Sequence, residues 1–142
     1  MSILLIVLVS FSAFTILKNK SDQQSYVKIA GQNVEVGLAA TLKSQTQGLS
    51  GRKSLGENEG MLFVFDHAGV YPFWMKDMNF AIDIIWLDEN YRVVYIKKNA
   101  EPSSYPETFS PEMEAKYVLE VVAGFSDKNN LKVGDEALLD IR

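Results

Sequence analysis

GMLFVF, residues 60–65, is the stretch on which the fold turns. Side chains of a strand alternate between its two faces, so Met61, Phe63 and Phe65 share one face and Leu62 and Val64 the other. Both faces are apolar. Such a strand must be covered on both sides, which predicts a place in the middle of a sheet. Working outward, residues 81–87 (AIDIIWL) and 116–122 (KYVLEVV) read as further strands. Residues 91–98 (YRVVYIKK) follow the turn Asp88-Glu89-Asn90 as the hairpin partner of 81–87, with Asn90 suited to a positive φ. Residues 71–76 (YPFWMK) read as one more strand, with Trp74 and Lys76 on one face and Tyr71, Phe73 and Met75 on the other. Toward the N-terminus, residues 26–30 and 33–38 form a hairpin about Gly31-Gln32, and Thr41 caps a helix that Gly51 ends. Toward the C-terminus, a short helix is expected within residues 125–131, and a last strand over 136–141 after the turn Val133-Gly134-Asp135. Residues 99–111 carry three prolines and three serines and read as a long irregular loop. The expected fold is mostly β (α+β). It is a single small, mostly antiparallel barrel or sandwich-like domain of seven or eight strands with one or two short helices.

Composition agrees with one globular domain: 142 residues, 47% hydrophobic and 23% charged. The net charge of −4 and the absence of any Lys/Arg run make nucleic acid an unexpected partner. The chain has no cysteine, which excludes disulfides, thiolate metal sites, a cysteine nucleophile and a lipidated-cysteine anchor.

Residues 3–17 (ILLIVLVSFSAFTIL) are uncharged and almost wholly apolar. A helix over residues 1–17 would be roughly 25 Å long at ~1.5 Å per residue, slightly short of a ~30 Å hydrocarbon core. No Lys or Arg precedes the run and no small-x-small cleavage site follows it, which counts against a cleaved signal peptide. Lys18 and Lys20 after it weigh toward a cytoplasmic C-terminal side. We read residues 1–17 as a signal-anchor helix, residues 18–25 as a polar tether and residues 26–142 as the folded domain, placed outside the cytoplasm.

Asp83 is the most informative polar residue, since its own strand face also carries Ile85 and Leu87. A buried carboxylate needs a partner, and Lys76 and Arg52 are the natural ones. Two roles are open to it: a structural ion pair or loop clamp, or a ligand anchor in a pocket. Trp74 beside Lys76 could hold a ring or an anionic group, or Trp74 could pack inward while the lysine stem passes over it. Arg52, just past the helix, could clamp a carboxylate or phosphate, or pair with Asp83. His67 is the only histidine and sits in a turn-like Asp66-His67-Ala68-Gly69, far short of a metal-ligand pattern. Ser103 and Ser104 stand in no nucleophile-elbow motif. Met61 and Met75 fall on apolar faces, where core filling outweighs copper binding.

Several blocks then line up in order: Gly48-Leu49 with Arg52, Gly60-Met61-Leu62-Phe63-Val64-Phe65, Phe73-Trp74-Met75-Lys76, Ile82-Asp83-Ile84 with Leu87-Asp88, Tyr117-Val118-Leu119-Glu120, Ala123-Gly124 and Gly134-Asp135. Together they resemble the uncharacterised domain of unknown function 192 family over about residues 34–141. The resemblance implies a small β-rich domain, often behind an export or anchor segment, and no reaction. The chain departs from the family pattern at Ser50, where a Met is usual, and at Asp77-Met78, where Asn-Thr is usual.

The resulting expectation is a membrane-tethered or exported, non-catalytic domain. It would bind a small molecule or peptide near Arg52, Trp74, Lys76 and Asp83, at a surface edged by residues 99–111, and would reach the membrane through residues 3–17. Two rivals are an acid–base enzyme of hydrolase type using Asp83 and Lys76, and a structural envelope interaction domain. No catalytic residue, metal or cofactor is assigned.

Overall fold

The computed structural model describes residues 24–142. The anchor and nearly all of the tether read from the sequence therefore lie outside the described residues. Among the described residues no helix is long and apolar enough to cross a membrane.

Nine strands are described: β1 (Ser25–Ile29), β2 (Gln32–Ala39), β3 (Glu59–Gly69), β4 (Phe73–Trp74), β5 (Ile82–Leu87), β6 (Val93–Ala100), β7 (Thr108–Phe109), β8 (Ala115–Val122) and β9 (Leu138–Asp140). Two short helices, α1 (Leu42–Gln47) and α2 (Phe125–Lys128), and a 3-10 turn at Pro102–Ser104 complete them. Seven strands make one sheet in the order β6-β5-β8-β3-β2-β1-β9. The doubly apolar β3 takes the fourth of these seven places, as its pattern demands. Its pairing with β8 is antiparallel and its pairing with β2 parallel. Gly60 lets β3 and β8 approach: a Cβ there would sit 2.7 Å from the Glu120 carbonyl oxygen.

The sheet curls but does not close into the expected barrel. Its outer strands, β6 and β9, form no ladder with each other; they are joined by the first residue of β6 and the segments just before the two strands. Arg92 and Glu136 form an isolated bridge, Val93 N–H donates to Asp135 O at 2.8 Å, and Ala137 N–H donates to Tyr91 O at 2.9 Å. The last strand is three residues long rather than six, so β9 cannot run the length of β6.

The two sheet faces carry separate cores. The concave one gathers Val27, Val34, Leu62, Ile85, Leu119 and Phe125 with their neighbours. The convex one gathers Leu49, Phe63, Met75, Ile84, Trp86 and Val118. The alternation read in residues 60–65 holds, since Phe63 belongs to the convex core and Leu62 to the concave one.

Residues 71–76 do not join this sheet. Only Phe73–Trp74 is strand, paired with Thr108–Phe109 in a separate two-stranded ribbon. Pro72 has no N–H to donate to a ladder, so the segment crosses the convex face as a strap. Phe73 packs edge-on against Phe63 at 4.8 Å and Trp86 at 5.7 Å between ring centroids, and Trp86 Nε1–H donates to Tyr71 O at 3.0 Å. The 99–111 loop is correspondingly more ordered than expected. It supplies β7 and the 3-10 turn.

Two turns differ from their sequence reading. Thr41 caps α1 as expected, through a reciprocal bond with Ser44, but the helix ends at Gly48. There the backbone reaches φ 49° and ψ −133°, a region open to glycine alone, before Gly51 is reached. In the β5–β6 connection the residue with positive φ is Tyr91 at 63°, not Asn90. Asp88 Oδ1 accepts the N–H groups of Asn90 and Arg92, both at 2.9 Å, and holds the chain in that shape.

Candidate functional site

A cleft of about 450 Å³ opens on the convex side, between α1 with the turn after it, the strap and the faces of β3 and β8. This volume lies within the range of small-molecule sites. Its walls are tied together by backbone-directed bonds. Gln45 Nε2–H donates to Val64 O at 2.8 Å and Ala39 O at 3.2 Å, fixing α1 to the sheet. Ser50 Oγ–H donates to Lys76 O at 2.8 Å, Gly51 N–H to Asp77 O at 2.9 Å and Asn79 Nδ2–H to Arg52 O at 2.8 Å, fixing the strap to the turn after α1.

Aromatic rings dominate the lining. Phe65 and Tyr71 stack at 3.7 Å with a 7° interplanar angle, and Phe73 stands edge-on to Phe65. Trp74 forms part of the rim, 48% exposed, and meets Tyr105 edge-on at 5.5 Å. Lys76 Nζ lies 5.7 Å from the centre of the Trp74 ring, a cation–π contact on the exposed side.

One carboxyl, Glu120, reaches this cleft. It is on β8, directly opposite Met61 of β3 and Ile84 of β5, so its flanking side chains on the same face are apolar. Its relative exposure is 5%, and its Oε2 is buried with no hydrogen-bond partner. Burial alone pushes the carboxyl from an ordinary 4.5 up to about 8. Gly48 leaves the room beside it: a Cβ there would stand 4.0 Å from Oε2 and 3.1 Å from the Phe63 ring.

Of the four side chains singled out from the sequence, Trp74 and Lys76 come together at the rim. Arg52 is exposed and contributes its carbonyl oxygen to the strap. Among the described residues its guanidinium forms no ion pair. Asp83 is fully buried, but the expected pairing with Arg52 or Lys76 is corrected by the structure. Its partners are backbone amides: Asn99 N–H at 2.9 Å and Gly124 N–H at 3.2 Å to Oδ1, and Ser126 N–H at 2.8 Å to Oδ2. A bulge explains the first. Two steps along β5, from Ile82 to Ile84, face three steps along β6, from Ala100 to Lys97, which leaves the Asn99 amide out of the ladder. By strand alternation Asp83 shares the concave face with Ile85 and Leu87, on the other side of the sheet from the strap and Lys76. Among the remaining candidates, Met75 is buried in the convex core, and the His67 carbonyl accepts the Tyr71 hydroxyl at 2.6 Å.

Sequence reasoning missed Glu120 as a chemical group, since it stands there only within the block Tyr117-Val118-Leu119-Glu120. The same signal that exposes Asp83, an acid inside an apolar strand, is present in KYVLEVV.

Comparison with known proteins places the chain in a family. The model of domain of unknown function 192, described as an uncharacterized ACR, matches residues 25–139. The crystal structure of a putative transcription regulator from Sinorhizobium meliloti 1021 is 25% identical with a TM-score of 0.75, over 82% of this chain and 92% of that one. A protein of unknown function from Novosphingobium aromaticivorans DSM 12444 is 30% identical with a TM-score of 0.74, over 81% of this chain and 83% of that one. No curated protein matches. The chain belongs to the domain of unknown function 192 family.

Proposed function

We propose that this family member is a non-catalytic binding domain, tethered to a membrane or exported by residues 3–17, whose convex cleft takes a small ligand. The observation that carries the reading is Glu120: a carboxyl buried in an aromatic cleft with one oxygen unpartnered. An unmet buried acceptor costs on the order of 1–3 kcal/mol. A ligand able to pair with it would recover that energy.

The candidate surface expected from the sequence narrows accordingly. Trp74 and Lys76 serve the rim, Glu120 the floor, and Asp83 is a structural clamp. Acid–base catalysis by Asp83 and Lys76 is disfavoured by their separation across the sheet. Glu120 has one other titratable side chain along the cleft, Tyr71, and its hydroxyl is donated to a backbone carbonyl. A transcriptional role, the one ascribed to the S. meliloti protein, would need a basic surface, and this chain carries −4.

The test is a screen of small aromatic and aliphatic compounds read by tryptophan fluorescence, followed by Trp74→Ala. Trp74 is half exposed and Trp86 fully buried, so a compound entering the cleft perturbs mainly the Trp74 emission. Trp74→Ala is expected to lower affinity at least tenfold while moving the melting temperature by only about 2 °C, as for surface substitutions. Unchanged affinity in that variant rules out the cleft as the site.

A further inference from the structure

We propose that the ligand of this cleft is an organic ammonium, its charged N–H group seated on Glu120 and its carbon skeleton on the aromatic walls. This rests on the ligand-binding reading above and names the chemical class.

The polar inventory of the cleft is lopsided. Gln45 donates to Val64 O and Ala39 O, Thr46 Oγ1–H to Leu42 O at 2.8 Å, Ser50 to Lys76 O and Tyr71 to His67 O. Four of the lining side chains that could donate to an anionic or carbonyl ligand have thus spent a donor on the backbone. Gln47, Thr108 and the Trp74 indole also line the cleft, but all three are exposed to solvent. The buried side-chain atom of the lining left without a partner belongs to an acid, Glu120 Oε2. Once ionised, it is complemented by a donor, and by a charged donor most of all. The walls select the same class: Phe65, Tyr71 and Phe73 line the cleft, and aromatic rings attract cations, while the Trp74 ring at the rim already carries the Lys76 ammonium.

The side chains facing Glu120 are Met61 from β3, Ile84 from β5 and Phe63 beside Gly48, none of them titratable. Burial is the sole cause of the raised carboxyl. An arriving ammonium supplies the counter-charge that the protein withholds, so below about pH 8 its binding releases a proton from Glu120.

The experiment uses the full chain with 2-phenylethylammonium and its uncharged analogue 2-phenylethanol, by titration calorimetry at pH 6, 7 and 8. A primary ammonium keeps its charge over this range, since a lysine-like pKa is about 10.4. The ammonium is expected to bind at least tenfold more tightly than the alcohol at pH 8. Its affinity should rise roughly fifty-fold from pH 6 to pH 8, with proton release seen as a dependence of the heat on buffer. Glu120→Gln should erase both the preference and the pH dependence. Binding of the alcohol as tight as that of the ammonium, or an ammonium affinity unmoved by pH or by Glu120→Gln, overturns the ammonium proposal and leaves the cleft as a site for neutral ligands. Binding of neither compound overturns both readings.

Discussion

Asp83 and Glu120 are one register step apart on adjacent strands, and the sheet treats them in opposite ways. Asp83 pairs with Val121, and Ile84 pairs with Glu120, so the two acids project to opposite faces. On the concave face Asp83 accepts three backbone amides, from the β6 bulge and from the turn that opens α2. On the convex face Glu120 meets Met61, Ile84 and a cleft, and its Oε2 accepts nothing. A buried acid surrounded by amides holds a fold together. A buried acid left without partners weakens the fold, which makes it a candidate for a role outside the fold. The contrast makes Asp83 architecture and is the ground for resting the proposed binding role on Glu120.

The contrast is broken most severely at Asp83. Asp83→Ala leaves three amides without an acceptor, each worth about 1–3 kcal/mol, so a loss of roughly 4–6 kcal/mol is expected in denaturant melts. A loss under about 1 kcal/mol contradicts the clamp. The next effect is at Glu120 and depends on pH. Its folded-state value of about 8 stands above the ordinary 4.5, so between these values the folded chain holds a proton that the unfolded chain releases. Its contribution to stability is present below about pH 4.5 and is lost as pH rises toward 8. Relative to Glu120→Gln, the native chain should lose roughly 3 kcal/mol between pH 5 and pH 8. Parallel stability profiles for the two proteins contradict a buried neutral acid. The smallest effect belongs to Ser126, whose N–H serves Asp83 while its buried hydroxyl has no partner. Ser126→Ala keeps the amide and removes the unmet hydroxyl, so stability is expected to stay level or rise by up to about 1 kcal/mol. A loss of 2 kcal/mol or more would assign that hydroxyl a bond.

The sequence is most legible where a single strand carries its own evidence. The alternation of residues 60–65 places β3 at the centre, and an acid between Ile82 and Ile84 announces a buried group in need of company. Which company is hidden, because backbone amides have no letter in a sequence, and Gly124 and Ser126 lie some forty residues from Asp83. Cationic side chains are visible there and draw the assignment instead. The strap misleads for a related reason. YPFWMK alternates like a strand, yet Pro72 and the packing of Phe73 on Phe63 and Trp86 lay it across the sheet. That crossing builds the cleft. Without it Glu120 looks like one more acid in a strand. Closure into a barrel is likewise beyond local pattern, since it depends on how long β9 can run beside β6.

The most direct test is a carbon-detected NMR titration of the side-chain carboxyls in the ligand-free chain, with Glu120 assigned by comparison with Glu120→Gln. A midpoint near pH 8 is the predicted result. A midpoint near 4.5, the ordinary value, would mean that water or a protein donor serves Oε2 after all, and the cleft would lose the group on which its assignment stands.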